Sequence, residues 1–210
     1  MIKIFFFIVL LYIQLSIGEI YIHKSIMHNK PKTFMRRLWG DSHLIHHEEV
    51  EADMGIKDDF LQEGMYFSLF TIIAISVLVC IVIYADSKLI NIKLNTTQIS
   101  IISLSLGLFY YFAWNILHIR FHRIYPSKKL EKNTLFNFLL KNHSYHHLQK
   151  GLKKGNYNII FIGGDHLLNT YRTCIDNKKF CKQYYTKYKK LCDMEKNRDE
   201  LPYGLKWCDM

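Results

Sequence analysis

Three stretches of this 210-residue chain are too long and too apolar to be left in water, and they limit what the rest of it can do. Ile2 to Ile22 (IKIFFFIVLLYIQLSIGEIYI) carries only Lys3 and Glu19, while Met65 to Tyr84 and Ile99 to Leu117 carry no charge at all. Each approaches the ~20 helical residues that cross a bilayer core, so three membrane helices are expected. The first run also admits a cleaved signal peptide, with Ser16-Ile17-Gly18 as a small-residue site before Glu19. Its apolar stretch is longer and its start less basic than such a peptide has, which favours a retained span.

The formal charge of +10 would suit a nucleic-acid binder, but the basic residues alternate with long apolar runs that a soluble binder would not carry. A membrane explains both features. Lys24, Lys30, Lys32, Arg36 and Arg37 follow the first span against Lys3 before it, so the positive-inside rule places residues 23 to 64 in the cytosol. Residues 85 to 98 then face the lumen or exterior, where the sequon Asn95-Thr96-Thr97 is open to glycosylation, and the chain after Leu117 is cytosolic again. Of the five cysteines, Cys80 lies in a span, and Cys174, Cys181, Cys192 and Cys208 form no C-x-x-C pair. Neither a disulfide framework nor a zinc finger is expected.

Ten of the eleven histidines fall in four short boxes: His23 and His28; His43, His46 and His47; His118 and His122; His143, His146 and His147. At this histidine content a chance H-x-x-H-H is expected about 0.03 times in the chain, so two copies are not accidental. Two spans separate the second box from the third, an even number of crossings, so all four boxes return to one side of the membrane. His118 and His122, at i and i+4, continue the third span as one helix face. Phe136, Leu139 and Leu140 precede the last box at a 3.6-residue period, which turns its histidines inward. His23 and His28, at i and i+5, lie about 140° apart on an ideal helix, so that box contains a helix end or kink, or serves two metals.

Ten imidazoles exceed the capacity of one ion, whereas two ions with about five each would use them all. Nitrogen-only ligation suits iron, zinc or copper alike. The alternative from another class is a metal transporter or store, which would need polar residues along the spans. The spans offer few: Ser68, Thr71 and Ser76 in the second, and Ser100, Ser103, Ser105 and Asn115 in the third.

The order H-x4-H, H-x2-H-H, H-x3-H, H-x2-H-H, with a membrane hairpin in its middle, resembles the fatty acid hydroxylase/sterol desaturase superfamily over about residues 20 to 172. The spacings are similar to those of the fatty acid 2-hydroxylase branch, and carotenoid hydroxylases have a similar arrangement. The segment GNYNIIFIGGDHLLNTYR also resembles the family's segment after its last box, with Gly164 in place of an aromatic and Leu168-Asn169-Thr170 in place of Phe-Gly-Thr.

The resemblance implies two iron ions on the ten box histidines, with zinc as a possible substitute. It also implies O2 as co-substrate, hydroxylation or desaturation of a membrane lipid, and an endoplasmic reticulum location. No His-Pro-Gly-Gly haem motif is present, so electrons would come from a separate donor such as cytochrome b5 with its reductase. Asp165 would orient a metal-bound histidine and Asn156 would assist, their plainer roles being a helix N-cap and a turn residue. His166 is either an eleventh ligand, a proton shuttle or structural.

The expected fold is all-α: multi-pass membrane helices under a cytosolic helical histidine-box cap. An N-terminal span over residues 1–22 would be followed by a catalytic domain over 23–175, with its membrane hairpin at 65–117. Interfacial contact is expected at Leu135 to Leu140 and Ile159 to Leu168. The basic tail over 176–210, with Phe180, Tyr184, Tyr185 and Tyr188 among its lysines, is either a solvated helix or a contact for anionic headgroups or an acidic redox partner.

Overall fold

The structure, a computed structural model, describes residues 2–28, 34–50, 54, 64–122, 128–148 and 154–172. The basic tail over 176–210 and Cys174, Cys181, Cys192 and Cys208 lie outside the described residues; Cys80 is a free thiol.

Every regular element among the described residues is a helix. Helix α1 (Ile2–Tyr21) runs into a π-helical turn (Ile22–Met27) and is followed by α2 (Phe34–Glu49). The hairpin α3 (Phe70–Leu89) and α4 (Thr96–Phe121) comes next, then the single turn α5 (Lys128–Glu131), α6 (Thr134–Leu148) and the short α7 (Gly164–Leu167). Three stretches, Ile2–Met27, Phe70–Leu89 and Thr96–Phe121, are long and apolar enough to cross a membrane. Their outward faces carry large apolar side chains such as Ile8, Ile73, Leu78, Ile81, Leu104 and Phe112, as hydrocarbon contact requires.

The second span begins later than the apolar run does. Met65 to Leu69 are non-helical because α4 takes their backbone: Asn115 Oδ1 accepts from Phe67 N (2.7 Å) and Asn115 Nδ2 donates to Phe67 O (3.1 Å). The third span begins earlier than Ile99, since Asn95 and Gln98 form a reciprocal capping box that starts α4 at Thr96. The sequon asparagine is therefore also this helix's N-cap. Helices α3 and α4 pack closely at Gly107, where a Cβ would stand 2.2 Å from Ser76 Oγ.

Two apolar clusters hold the helices together. Phe7 and Leu11 of α1 meet Val79 and Ile83 of α3 and Ile99 of α4. Beneath the histidines, Phe67, Tyr110, Trp114 and Phe121 pack with Phe136, Leu139 and Leu140 of α6 and with Ile159 and Phe161. The apolar stripe of α6 faces inward, and Leu135 and Phe138 on its other side are exposed.

Candidate metal centre

Seven of the ten box histidines are buried, and His28, His47 and His147 are half-buried. They divide into two groups whose nitrogens lie within 4.8 Å of one another: His23, His28, His43, His47 and His146 in the first, and His46, His118, His122, His143 and His147 in the second. Helix geometry pairs two histidines of each H-x-x-H-H box and splits off the third. His43 and His47 at i, i+4 share one face of α2 and enter the first group, as His143 and His147 of α6 enter the second. The remaining histidine of each H-x-x-H-H box, His46 or His146, crosses to the other group. The groups therefore lie side by side, with the His47 and His147 rings stacked at 3.9 Å.

The π-helical turn solves the spacing problem of the first box. His28 N donates to His23 O (3.2 Å), an i→i+5 bond that sets the two rings 5.1 Å apart in the same group. Of the two expectations for this spacing, a helix irregularity is present, and the pair is not shared between groups.

Backbone carbonyls fix four of the rings. His23 Nδ1 lies 2.6 Å from Tyr157 O, His118 Nδ1 2.6 Å from Met65 O, His122 Nδ1 3.1 Å from Met54 O, and His146 Nδ1 2.7 Å from Gly155 O. A carbonyl only accepts, so each Nδ1 carries the proton and each Nε2 presents a lone pair. These lone pairs converge. His43 Nε2 stands 3.0 Å from His23 Nε2 and 3.1 Å from both His28 and His47 Nε2, and His143 Nε2 stands 3.0 Å from His122 and His147 Nε2.

Two further buried acceptors have no partner at all: His118 Nε2, and His46, at either nitrogen. Burying such atoms unsatisfied costs about 1–3 kcal/mol each, and a cation at the centre of each group removes that cost. Adjacent donors at ~2.1 Å from a metal stand about 3.0 Å apart in octahedral-type coordination and about 3.4 Å apart in a tetrahedron. The observed 3.0–3.2 Å contacts match the former. The residues present therefore fit two metal ions, each with five imidazole donors.

Burial, before any neighbouring charge, holds His43, His46, His47, His122, His143, His146 and His147 well below the ordinary histidine range, and His28 likewise. The rings are neutral at pH 7, the form that ligates. Lys154 Nζ approaches His47 Nδ1 at 3.2 Å. Burial, and after it Asp165, pushes the Tyr157 phenol up to about 12, so it stays protonated and donates to Lys154 O (3.1 Å). Trp114, fully buried, packs edge-on against His23 and at a tilt of 39° against His118, walling the centre from the spans.

The three outer candidates fall differently from expectation. Asp165 makes no hydrogen bond to a histidine: its oxygens accept from Tyr157 N (3.0 Å), Asn158 N (2.8 Å) and Thr170 Oγ1 (2.6 Å). It holds the Tyr157 peptide whose carbonyl meets His23, so it acts through backbone. Asn156, at φ 57°, donates to Asn142 Oδ1 and Arg172 O and accepts from Arg172 N, also without touching a histidine. It sits between the two carbonyls that face His146 and His23. His166 belongs to neither group; its ring is exposed and stacks on Tyr171 at 4.1 Å.

Sequence reasoning missed the four carbonyls that accept from the histidine rings, which no side-chain pattern marks, and it missed Glu19. The Glu19 carboxylate, buried in α1, accepts from Tyr110 Oη (3.0 Å), Asn158 Nδ2 (3.2 Å), Ile160 N (3.1 Å) and Phe161 N (2.9 Å). A lone acid within an apolar run was the available signal.

Comparison of the chain with family models, with curated proteins and with solved structures returns no match. What stands is the class of molecule: a helical membrane protein with two neighbouring five-histidine groups able to hold metal ions.

Proposed function

We propose that the chain is a membrane-bound lipid oxidoreductase that uses two iron ions and O2 to hydroxylate or desaturate a fatty acyl, sterol or similar lipid. The observation that carries this reading is the division of ten imidazoles into two adjacent nitrogen-only groups where two of the apolar helices end. Iron, when bound, would supply oxygen activation and removal of hydrogen from an unactivated C–H bond. His23, His28, His43, His47 and His146 would hold one ion, and His46, His118, His122, His143 and His147 the other.

The chain's own residues position and shield. Tyr157, Gly155, Met65 and Met54 carbonyls keep four rings in the ligating tautomer. Trp114 and Phe121 exclude water from the inner side of the centre. The π-helical turn and the end of α4 keep the histidines beside the spans, within reach of a lipid that stays in the bilayer. The histidine side faces the cytosol of an endoplasmic reticulum membrane in this reading, where a separate cytochrome b5 and its reductase deliver electrons.

The test is expression with cytochrome b5 and its reductase, followed by mass spectrometry of lipid extracts against a His146→Ala variant. An oxidised lipid, sterol and carotenoid classes included, should be present only with the intact chain. Identical profiles across all classes would sink the proposal. Metal analysis separates it from transport or storage: about two firmly held ions per chain fit the enzyme, and loose, variable loading fits transport.

A further inference from the structure

The buried polar side chains Ser16 and Glu19 of α1 lie outside both histidine groups, and both face one segment that is non-helical but for the single turn α7. From Tyr157 the chain runs beside α1 towards its N-terminal end. Ile160 N and Phe161 N donate to Glu19, and Tyr12 Oη donates to Ile162 O (2.9 Å). The chain turns at Gly163, whose φ of 110° suits glycine, and returns through α7, where Gly164 N donates to Ser16 Oγ (2.8 Å). Asn156 N donates to Thr170 O (3.1 Å), closing the two ends. Residues 156–170 are a closed loop that descends along α1 and comes back.

Its depth follows from helix geometry. Ser16 and Tyr12, which bond the tip, precede His23 by seven and eleven residues, so at ~1.5 Å per residue the tip lies about 10–16 Å down α1 from the histidines. That is near the middle of the Ile2–Met27 span. Hydrocarbon cannot satisfy non-helical backbone, so such backbone survives at that depth only where protein supplies the partners. Here Asp165 accepts from Tyr157 N and Asn158 N, Glu19 from Ile160 N and Phe161 N, Ser16 from Gly164 N, and Asn158 Oδ1 from Asp165 N (2.9 Å). A loop in water would leave such donors to solvent and would not need a carboxylate buried in an apolar helix.

We propose that residues 156–170 are a re-entrant loop inserted beside α1 into the bilayer, its outer surface in contact with lipid acyl chains. That surface continues the apolar belt of the spans: Leu167 is 63% exposed with Leu168 beside it, while Phe161 anchors the loop from within, its ring against those of Tyr12 (6.0 Å) and Phe109 (6.3 Å). The His166–Tyr171 stack marks the level at which the loop leaves the membrane. Gly155 and Tyr157, whose carbonyls face His146 and His23, sit at the neck. Bilayer and first histidine group thereby share one segment.

The proposal rests on the membrane reading of the three helices, and its test separates the two. The five cysteines are replaced by serine, and nitroxides are placed at Ile162→Cys, Leu167→Cys, Ile8→Cys, Leu78→Cys and Lys93→Cys, one per chain, in phosphatidylcholine vesicles. Power-saturation EPR then compares collision with O2 and with a water-soluble nickel chelate. Labels at Ile162 and Leu167 should favour O2 as those at Ile8 and Leu78 do, with Ile162 the deeper of the pair and Lys93 favouring nickel. Nickel-favouring signals at Ile162 and Leu167 alone overturn the loop and leave the spans standing; at Ile8 and Leu78 as well, they overturn both. A Leu167 label shielded from both reagents means protein covers the surface and also overturns the proposal.

Discussion

Each imidazole offers two nitrogens, and the backbone decides which one faces the centre. At His23, His118, His122 and His146 a carbonyl takes the Nδ1 proton and leaves Nε2 as a lone pair in a dry cluster. Removing one donor then weakens one group only. His23→Ala and His118→Ala should each lower tightly bound metal by about one equivalent of two, measured by elemental analysis of purified protein. Equal loading of both variants and the parent would contradict two separate five-donor sites. Gly155 makes a second residue-scale case: a Cβ there would stand 2.0 Å from Thr170 O. Gly155→Ala should destabilise by about 1–3 kcal/mol and loosen the carbonyl at His146, read as a lower melting temperature with reduced metal retention.

Among elements, the π-helical turn is the one whose pitch the centre requires. An α-helical continuation of α1 would turn His28 away from His23, whereas the i→i+5 bond keeps both rings in the first group. Deleting Ser25 returns the pair to i, i+4 spacing and rotates α1 by about 100° relative to α2. The first group should lose its metal while the second keeps its own, so His118→Ala added to the deletion should strip the remainder. Retention of both ions after the deletion would show that the turn is not what sets the site. The spacing of residues 23 and 28 showed that a regular helix fails there, but not how it fails. An extra residue per turn is selected by what α1 packs against on both sides, and a local sequence pattern does not contain that.

At the scale of the molecule, eight histidines outside the spans share one buried environment that disfavours their charged forms, burial being the largest cause for each. Their folded pKa values lie below the ~6.5 of an unfolded histidine. Below that pH the unfolded chain binds more protons than the folded one, so stability falls as pH drops. The melting temperature of the metal-free protein in detergent should hold steady above about pH 7 and decline from about pH 6.5 downward. A flat profile from pH 7.5 to 5 would mean that water reaches these rings. Added metal should raise the plateau and steepen the acid side, because protons and metal compete for the same nitrogens.

The order of residues by itself determined three apolar helices, the inward stripe of α6 and the gathering of ten histidines on one side, because hydrophobic length and periodicity are local quantities that any fold must respect. The assignment of each histidine to a group was decided by tertiary structure. His46 and His47 are neighbours in the chain yet serve different groups, since adjacent helical residues point about 100° apart and only the placement of α2 against α1, α4 and α6 says what lies in each direction. Tertiary structure also decided the role of Asp165, which holds the Tyr157 peptide and through it His23. Such a contact depends on where a carbonyl lies after folding, and every residue carries the same carbonyl.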